Sequence, residues 1–194
     1  MQPPSEHVHW LFATGFLALG LCLLAQAIVG DDVWGRRAWR RYAWPSLAFG
    51  LGVCMWAVMV FFTNSTLHML AHGVWAQVMM IGGAAELGLA RGKLHSRYWK
   101  LCMVVAFAVS GGAFLVHEQN AWFFQRSAFL HHLAGWTMLV GAVFPLATTF
   151  RPRSPVWRSG YALTFVVLAV ILYCDRDLAP VFGHLSPLAG VPHR

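Results

Sequence analysis

Charge is what this sequence has least of: only 11% of its 194 residues are Asp, Glu, Lys or Arg, against about 25% in an ordinary soluble domain. Carboxylates are the scarcer half, seven against fourteen basic residues. Such a chain cannot cover a globular surface with charge. The four cysteines, Cys22, Cys54, Cys102 and Cys174, include no CxxC pair. Neither a disulfide framework nor a zinc-finger spacing can be read from them, and they are expected to pack as free, small hydrophobes. No glycine-rich phosphate loop, internal repeat or low-complexity tract is present. The amino-terminal residues lack the basic stretch that opens a cleavable signal peptide, so the first apolar run is expected to be retained.

What fills the chain is hydrophobic, 58% of all residues, with a mean hydropathy of +0.57. Runs of about 18 or more apolar residues read as membrane-spanning helices. Six such runs stand out: Val8–Val29, Ala43–Thr63, Leu67–Ala90, Tyr98–His117, Ala128–Phe150 and Trp157–Tyr173. The expected fold is an all-α integral membrane protein, one compact bundle of about six transmembrane helices occupying residues 1–194 as a single domain. Ser5 is expected to cap the first helix, with Glu6 favourable in its first turn. Pro145 predicts a kink in the fifth span.

The formal charge of +7 is not spread as a nucleic-acid patch. Arg36, Arg37, Arg40 and Arg41 follow the first run; Arg91, Lys93, Arg97 and Lys100 follow the third; Arg151, Arg153 and Arg158 follow the fifth. Alternating spans put these segments on one side, and the positive-inside rule makes that side cytoplasmic. Both termini are then extracytoplasmic, in a plasma or inner membrane. The expected partners are the lipid bilayer and other membrane subunits, and no nucleic acid.

This topology gathers the histidines. His7 and His9 open the first span, His68 and His72 the third, and His131 and His132 the fifth, while His117 and Glu118 close the fourth. All fall at one extracytoplasmic level. His68 and His72, four residues apart, share a helix face, and that face continues through Trp75 and Met79 to Glu86. Met138 lies one heptad below His131, and Met103 two heptads below His117. Imidazole suits copper, zinc, iron and nickel, and thioether sulfur suits cuprous copper. The expected metal ligands are His68, His72, His117, Glu118, His131 and His132. Copper is preferred over zinc, and haem b between two histidines on different helices is the alternative cofactor. Histidines at helix ends also commonly bond in the interfacial region without holding a ligand, so a scaffold or assembly subunit is the non-chemical alternative.

Other residues carry smaller expectations. Glu86, a carboxylate in an apolar span, is either a proton or ion site or a protonated, hydrogen-bonded tie between two helices. Gln26 and Gln77 are expected to bond across helices. Trp10, Trp122, Phe123 and Phe124 read as interfacial aromatics at one level and Trp44, Trp99 and Trp157 at the other. Gly82, Gly83, Gly111, Gly112, Gly135 and Gly141 read as points of close helix approach.

The stretches HVHWLFATGFLALGL, LHMLAHGVWAQVMMIGGAAEL and GGAFLVHEQNAWFFQRSAFLHHLAGWTMLVGAV together resemble the transmembrane protein 45 family, multi-span proteins with scattered histidines. The resemblance implies a multi-span fold in which one histidine closes a span and another opens the next, the places of His117 and of His131 or His132. The chain departs from that family at HEQN, where a second histidine and a glycine are usual. The HxxxH spacing with an adjacent HH pair also resembles the boxes of membrane di-iron hydroxylases and desaturases, but the HxxHH box is missing and the charge pattern places these histidines on the opposite side. The expected function is a membrane metal-binding protein, in metal handling or as an accessory subunit of a membrane metalloenzyme, with b-type haem electron transfer as the alternative.

Overall fold

The computed structural model describes residues 5–62, 66–116 and 125–176. These residues are helical, with no strand among them. The long helices are α1 (Ser5–Val29), α3 (Arg40–Phe62), α4 (Thr66–Ala90), α5 (Leu101–Val116) and α8 (Pro155–Tyr173). The fifth run is built from α6 (Gln125–Gly141) and α7 (Val143–Phe150). A single turn, α2 (Asp31–Trp34), and a 3-10 turn, Arg97–Lys100, lead into α3 and α5. Six stretches are long and apolar enough to cross a membrane: Ser5–Val29, Arg40–Phe62, Met69–Ala90, Arg97–Val116, Ala128–Phe150 and Pro155–Tyr173.

The helix ends follow from local chemistry. Gly92 takes φ +66° after α4, a left-handed conformation in which only glycine carries no steric cost. Its position lets the Lys93 amide donate to the Gly88 carbonyl and its own amide to Leu89, closing the last turn. Gly30, at φ +81°, ends α1 in the same region of backbone space. The fifth run breaks at Ala142, between α6 and α7. Pro145 has no amide hydrogen to give the Gly141 carbonyl, and that missing bond accounts for the expected kink. Ser5 opens α1 among the described residues, and the residues before it lie outside them.

In cross-section the helices form a closed ring in chain order, α1, α3, α4, α5, α6 and α8, and α8 packs back on α1. Small residues allow the close approaches. A Cβ on Gly52 would lie 2.7 Å from the Ala76 carbonyl oxygen, one on Gly83 2.8 Å from the Phe49 Cα, and one on Gly111 2.8 Å from the Gly135 carbonyl. Gly112, expected to do the same, faces open space. Outward, every crossing helix shows an aliphatic side chain more than half exposed: Leu21, Val60, Ile81, Val105, Val140 and Val170. A lipid-facing ring surface requires such side chains.

Inside, aromatic rings fill the axis. Phe12 and Phe16 meet Trp75 edge-on at 5.6 and 5.8 Å, Phe16 meets Phe165 at 5.9 Å, and Phe165 meets Phe107 at 5.1 Å and Tyr161 at 5.5 Å. Trp44 closes the column on Tyr161 at 6.1 Å. Trp44 is therefore a buried wall and not the expected interfacial aromatic. Trp99, in contrast, is exposed. The column divides the interior into a histidine end and a basic end.

Candidate functional site

At the histidine end three helices contribute imidazoles. His72 on α4 and His131 on α6 are each only 6% exposed. His9 on α1 meets His131 edge-on, ring centroids 5.7 Å apart. The Phe114 ring of α5 touches both His131, at 5.4 Å, and His72, at 6.3 Å. His9 is held from the other side: its Nδ1 is hydrogen-bonded to the carboxylate of Asp175, buried just beyond α8. The Trp10 indole donates to the Asp175 carbonyl oxygen at 3.2 Å, and the Arg176 guanidinium lies over the Trp10 ring at 4.8 Å. One turn deeper, the Thr14 and Tyr173 hydroxyls share a hydrogen bond of 2.8 Å. The first and last helices are thus clasped where the histidines meet.

The predicted ligand set is divided by this geometry. His72 and His131 point inward, as the periodicity of α4 and the opening of α6 suggest. His132 does not: it is exposed, and its Nδ1 bonds the Ala128 carbonyl of its own helix at 2.8 Å. Neighbouring helical residues point about 100° apart, so only one of this pair can face the ring interior. His68 lies in α4 one turn from His72, and its side chain is outside the described residues. His117 and Glu118 also lie outside them. Among the described residues no three His, Cys, Asp or Glu side chains converge closely enough to hold a metal ion. Met79, Met103 and Met138 are buried in the core, as expected of the inward faces.

Sequence reasoning missed the His9–Asp175 pair. His9 was legible as a resident of the right level, but Asp175 was hidden by its distance in the chain. The signal that could have found it is topological: an acidic residue directly after an even-numbered span emerges at the same level as the histidines.

The basic end is built differently. Arg158 donates to Asp31 Oδ1 at 2.6 Å and to the Gln26 carbonyl at 3.2 Å, while Gln26 Nε2 donates to the same Asp31 oxygen at 2.8 Å. Gln26 thus bonds the following turn rather than a neighbouring helix. Arg97 lies 5.7 Å from the Phe150 ring. The three basic segments therefore share one end. Behind the Arg158 network lies a cavity of about 90 Å³, bounded by Leu23, Trp44, Pro145 and Thr148 and by Gln26, Glu86 and Tyr161. An open cleft of about 480 Å³, flanked by Asp32, Arg41 and Lys100, shares Gln26, Trp44 and Glu86 with that cavity. Glu86 is 8% exposed, and nothing among the described residues hydrogen-bonds its carboxylate. Of the two expectations for Glu86, the tie between helices has no hydrogen bond to support it among the described residues. Lys100 acts on Glu86 electrostatically without forming an ion pair.

No family model, no curated protein and no solved structure matches this chain, so the two ends of the bundle are what it offers to a functional reading.

Proposed function

We propose that this chain is a multi-pass membrane protein that binds a metal ion at its histidine end, on the extracytoplasmic side. The clustering of the three basic segments at the opposite end supports that orientation, since basic loops stay cytoplasmic. Both termini then lie with the histidines. The observation that carries the reading is the carboxylate–histidine pair of Asp175 and His9, set edge-on against a buried His131. Metal-binding histidines characteristically give one ring nitrogen to a carboxylate, which fixes the tautomer and leaves the other nitrogen for the metal. In this reading His72 and His131 are the principal ligands, and His9 with the remaining donors, His68, His117 and Glu118, would have to draw in around the ion, because no three described donors converge on one point without it. A set of this chemistry would suit copper first and zinc second, and the buried methionines beneath it favour cuprous copper. The role that fits is metal handling, or service as an accessory subunit to a membrane metalloenzyme.

A porphyrin between His72 and His131 is less well supported. The Phe114 ring lies against both His72, at 6.3 Å, and His131, at 5.4 Å, in the space a porphyrin would need. Elemental analysis and an optical spectrum on gently solubilised protein test both readings. Stoichiometric copper or zinc in the wild type, lost in the His72→Ala, His131→Ala double variant while helical content persists, is the expected result. Equal metal in both proteins, or none in the wild type after reconstitution, would overturn it, and a Soret band would replace it with haem.

A further inference from the structure

The cavity at the basic end has the properties of a ligand site, and its polar groups say which ligand. Tyr161 is 6% exposed, and among the described residues neither its hydroxyl nor Gln26 Oε1 has a hydrogen-bond partner. Both line the cavity that also holds the Glu86 carboxylate. A buried polar atom left unpaired costs about 1–3 kcal/mol, so two such atoms beside a carboxylate around one space imply an occupant that pairs all three. Two of the three, the amide oxygen and the carboxylate, can only accept from an outside donor, and the tyrosine hydroxyl can do either. The occupant must supply hydrogens.

Size and charge narrow it further. A water needs about 10–15 Å³ of space accessible to its centre, so about 90 Å³ admits a short chain of waters and little more. The charged groups around the cavity and cleft balance: Asp31, Asp32 and Glu86 against Arg41, Lys100 and Arg158. Asp31 is already taken by Arg158. Of the remaining groups, Asp32 and Arg41 flank only the cleft, so Glu86 and Lys100 are the acid and base without an ion pair that line the cavity itself, from α4 and the turn before α5, with Tyr161 of α8, Gln26 of α1 and Cys102 of α5 as the other groups near the carboxylate. Towards the histidine end the aromatic column closes the path.

We propose that Glu86, Tyr161 and Gln26 form a hydrated proton-binding pocket, reached by water from the basic end alone. A proton arriving on water is taken up by the Glu86 carboxylate, giving the neutral acid, and returns to water by the same cleft. Tyr161 and Gln26 orient the water that carries it, and Lys100 guards the entrance as the competing cation. The inference does not depend on metal at the histidine end.

Infrared difference spectroscopy on the full chain, reconstituted in one orientation in liposomes, tests it. A pH jump on the basic side should raise or remove a carboxylic-acid carbonyl band, and the same jump on the histidine side should not. The band should be lost in Glu86→Gln and shifted in frequency in Tyr161→Phe. A band that answers to neither side, or to the histidine side, would overturn the proposal, as would a carboxylate that stays ionised throughout the accessible pH range. Should Glu86→Gln fail to fold, the sidedness of the wild-type response and the Tyr161→Phe shift still decide it.

Discussion

The two ends of this bundle handle ionisable groups in opposite ways. At the histidine end a carboxylate is matched to an imidazole, Asp175 to His9, and the rings of His9, His131, Phe114 and His72 touch in succession. At the basic end Asp31 is bonded by Arg158 and Gln26, yet among the described residues the Tyr161 hydroxyl has no hydrogen-bond partner and the Glu86 carboxylate no ion pair. Burial therefore does not separate the ends, since His72, His131, Glu86 and Tyr161 are all below 9% exposed. Their partners do. Protein side chains pair the acid at one end and leave it to water at the other, which suits a tightly held ligand in the first place and an exchangeable one in the second.

The comparison breaks most visibly if the wall between the ends is removed. Phe165, 1% exposed and in ring contact with Phe16, Phe107 and Tyr161, is its centre. Phe165→Ala should destabilise the bundle by about 3–5 kcal/mol, read as a fall in unfolding temperature in detergent. In the protein that still folds, the Glu86 carbonyl band should begin to answer to pH on the histidine side; unchanged sidedness would mean the rings are not the barrier. A milder change sharpens the contrast instead. Asp175→Asn keeps the shape of the pair and removes its charge, and should weaken metal affinity about 10–100-fold while leaving the Glu86 band unmoved. Equal metal affinity in titrations of variant and wild type would remove His9 from the site. The smallest effect is expected at the rim. Asp31, whose side chain is 59% exposed, should cost less than about 1 kcal/mol when changed to Ala, and a larger loss in thermal unfolding would show that the Arg158 network supports the cavity behind it.

Much of this architecture was legible from hydropathy alone, because a bilayer demands long apolar runs whatever the sequence detail. The six spans lie within a few residues of those expected, and the face running from His72 through Trp75 and Met79 to Glu86 is buried throughout, as its periodicity required. Periodicity did not fix the choice between His131 and His132, which depends on how α6 is rotated against its neighbours. Nor could it place Trp44, whose aromatic character suits a lipid interface and a protein wall equally well; the neighbour that decides, Tyr161, lies on the last helix. The His9–Asp175 pair escaped for the same reason. Its two halves sit 166 residues apart and meet only because the ring closes.

That closure also fixes an order of events in biosynthesis. The ribosome releases α1 first and α8 last, so the groove at Gly20, where a Cβ would lie 3.0 Å from the Ala162 carbonyl, waits in the bilayer through the synthesis of every intervening span. Until α8 inserts, His9 has no carboxylate and Trp10 no acceptor. Among the described residues the histidine end is therefore the last to be completed, and a nascent chain stalled before α8 has the imidazoles but not the clasp that orients them.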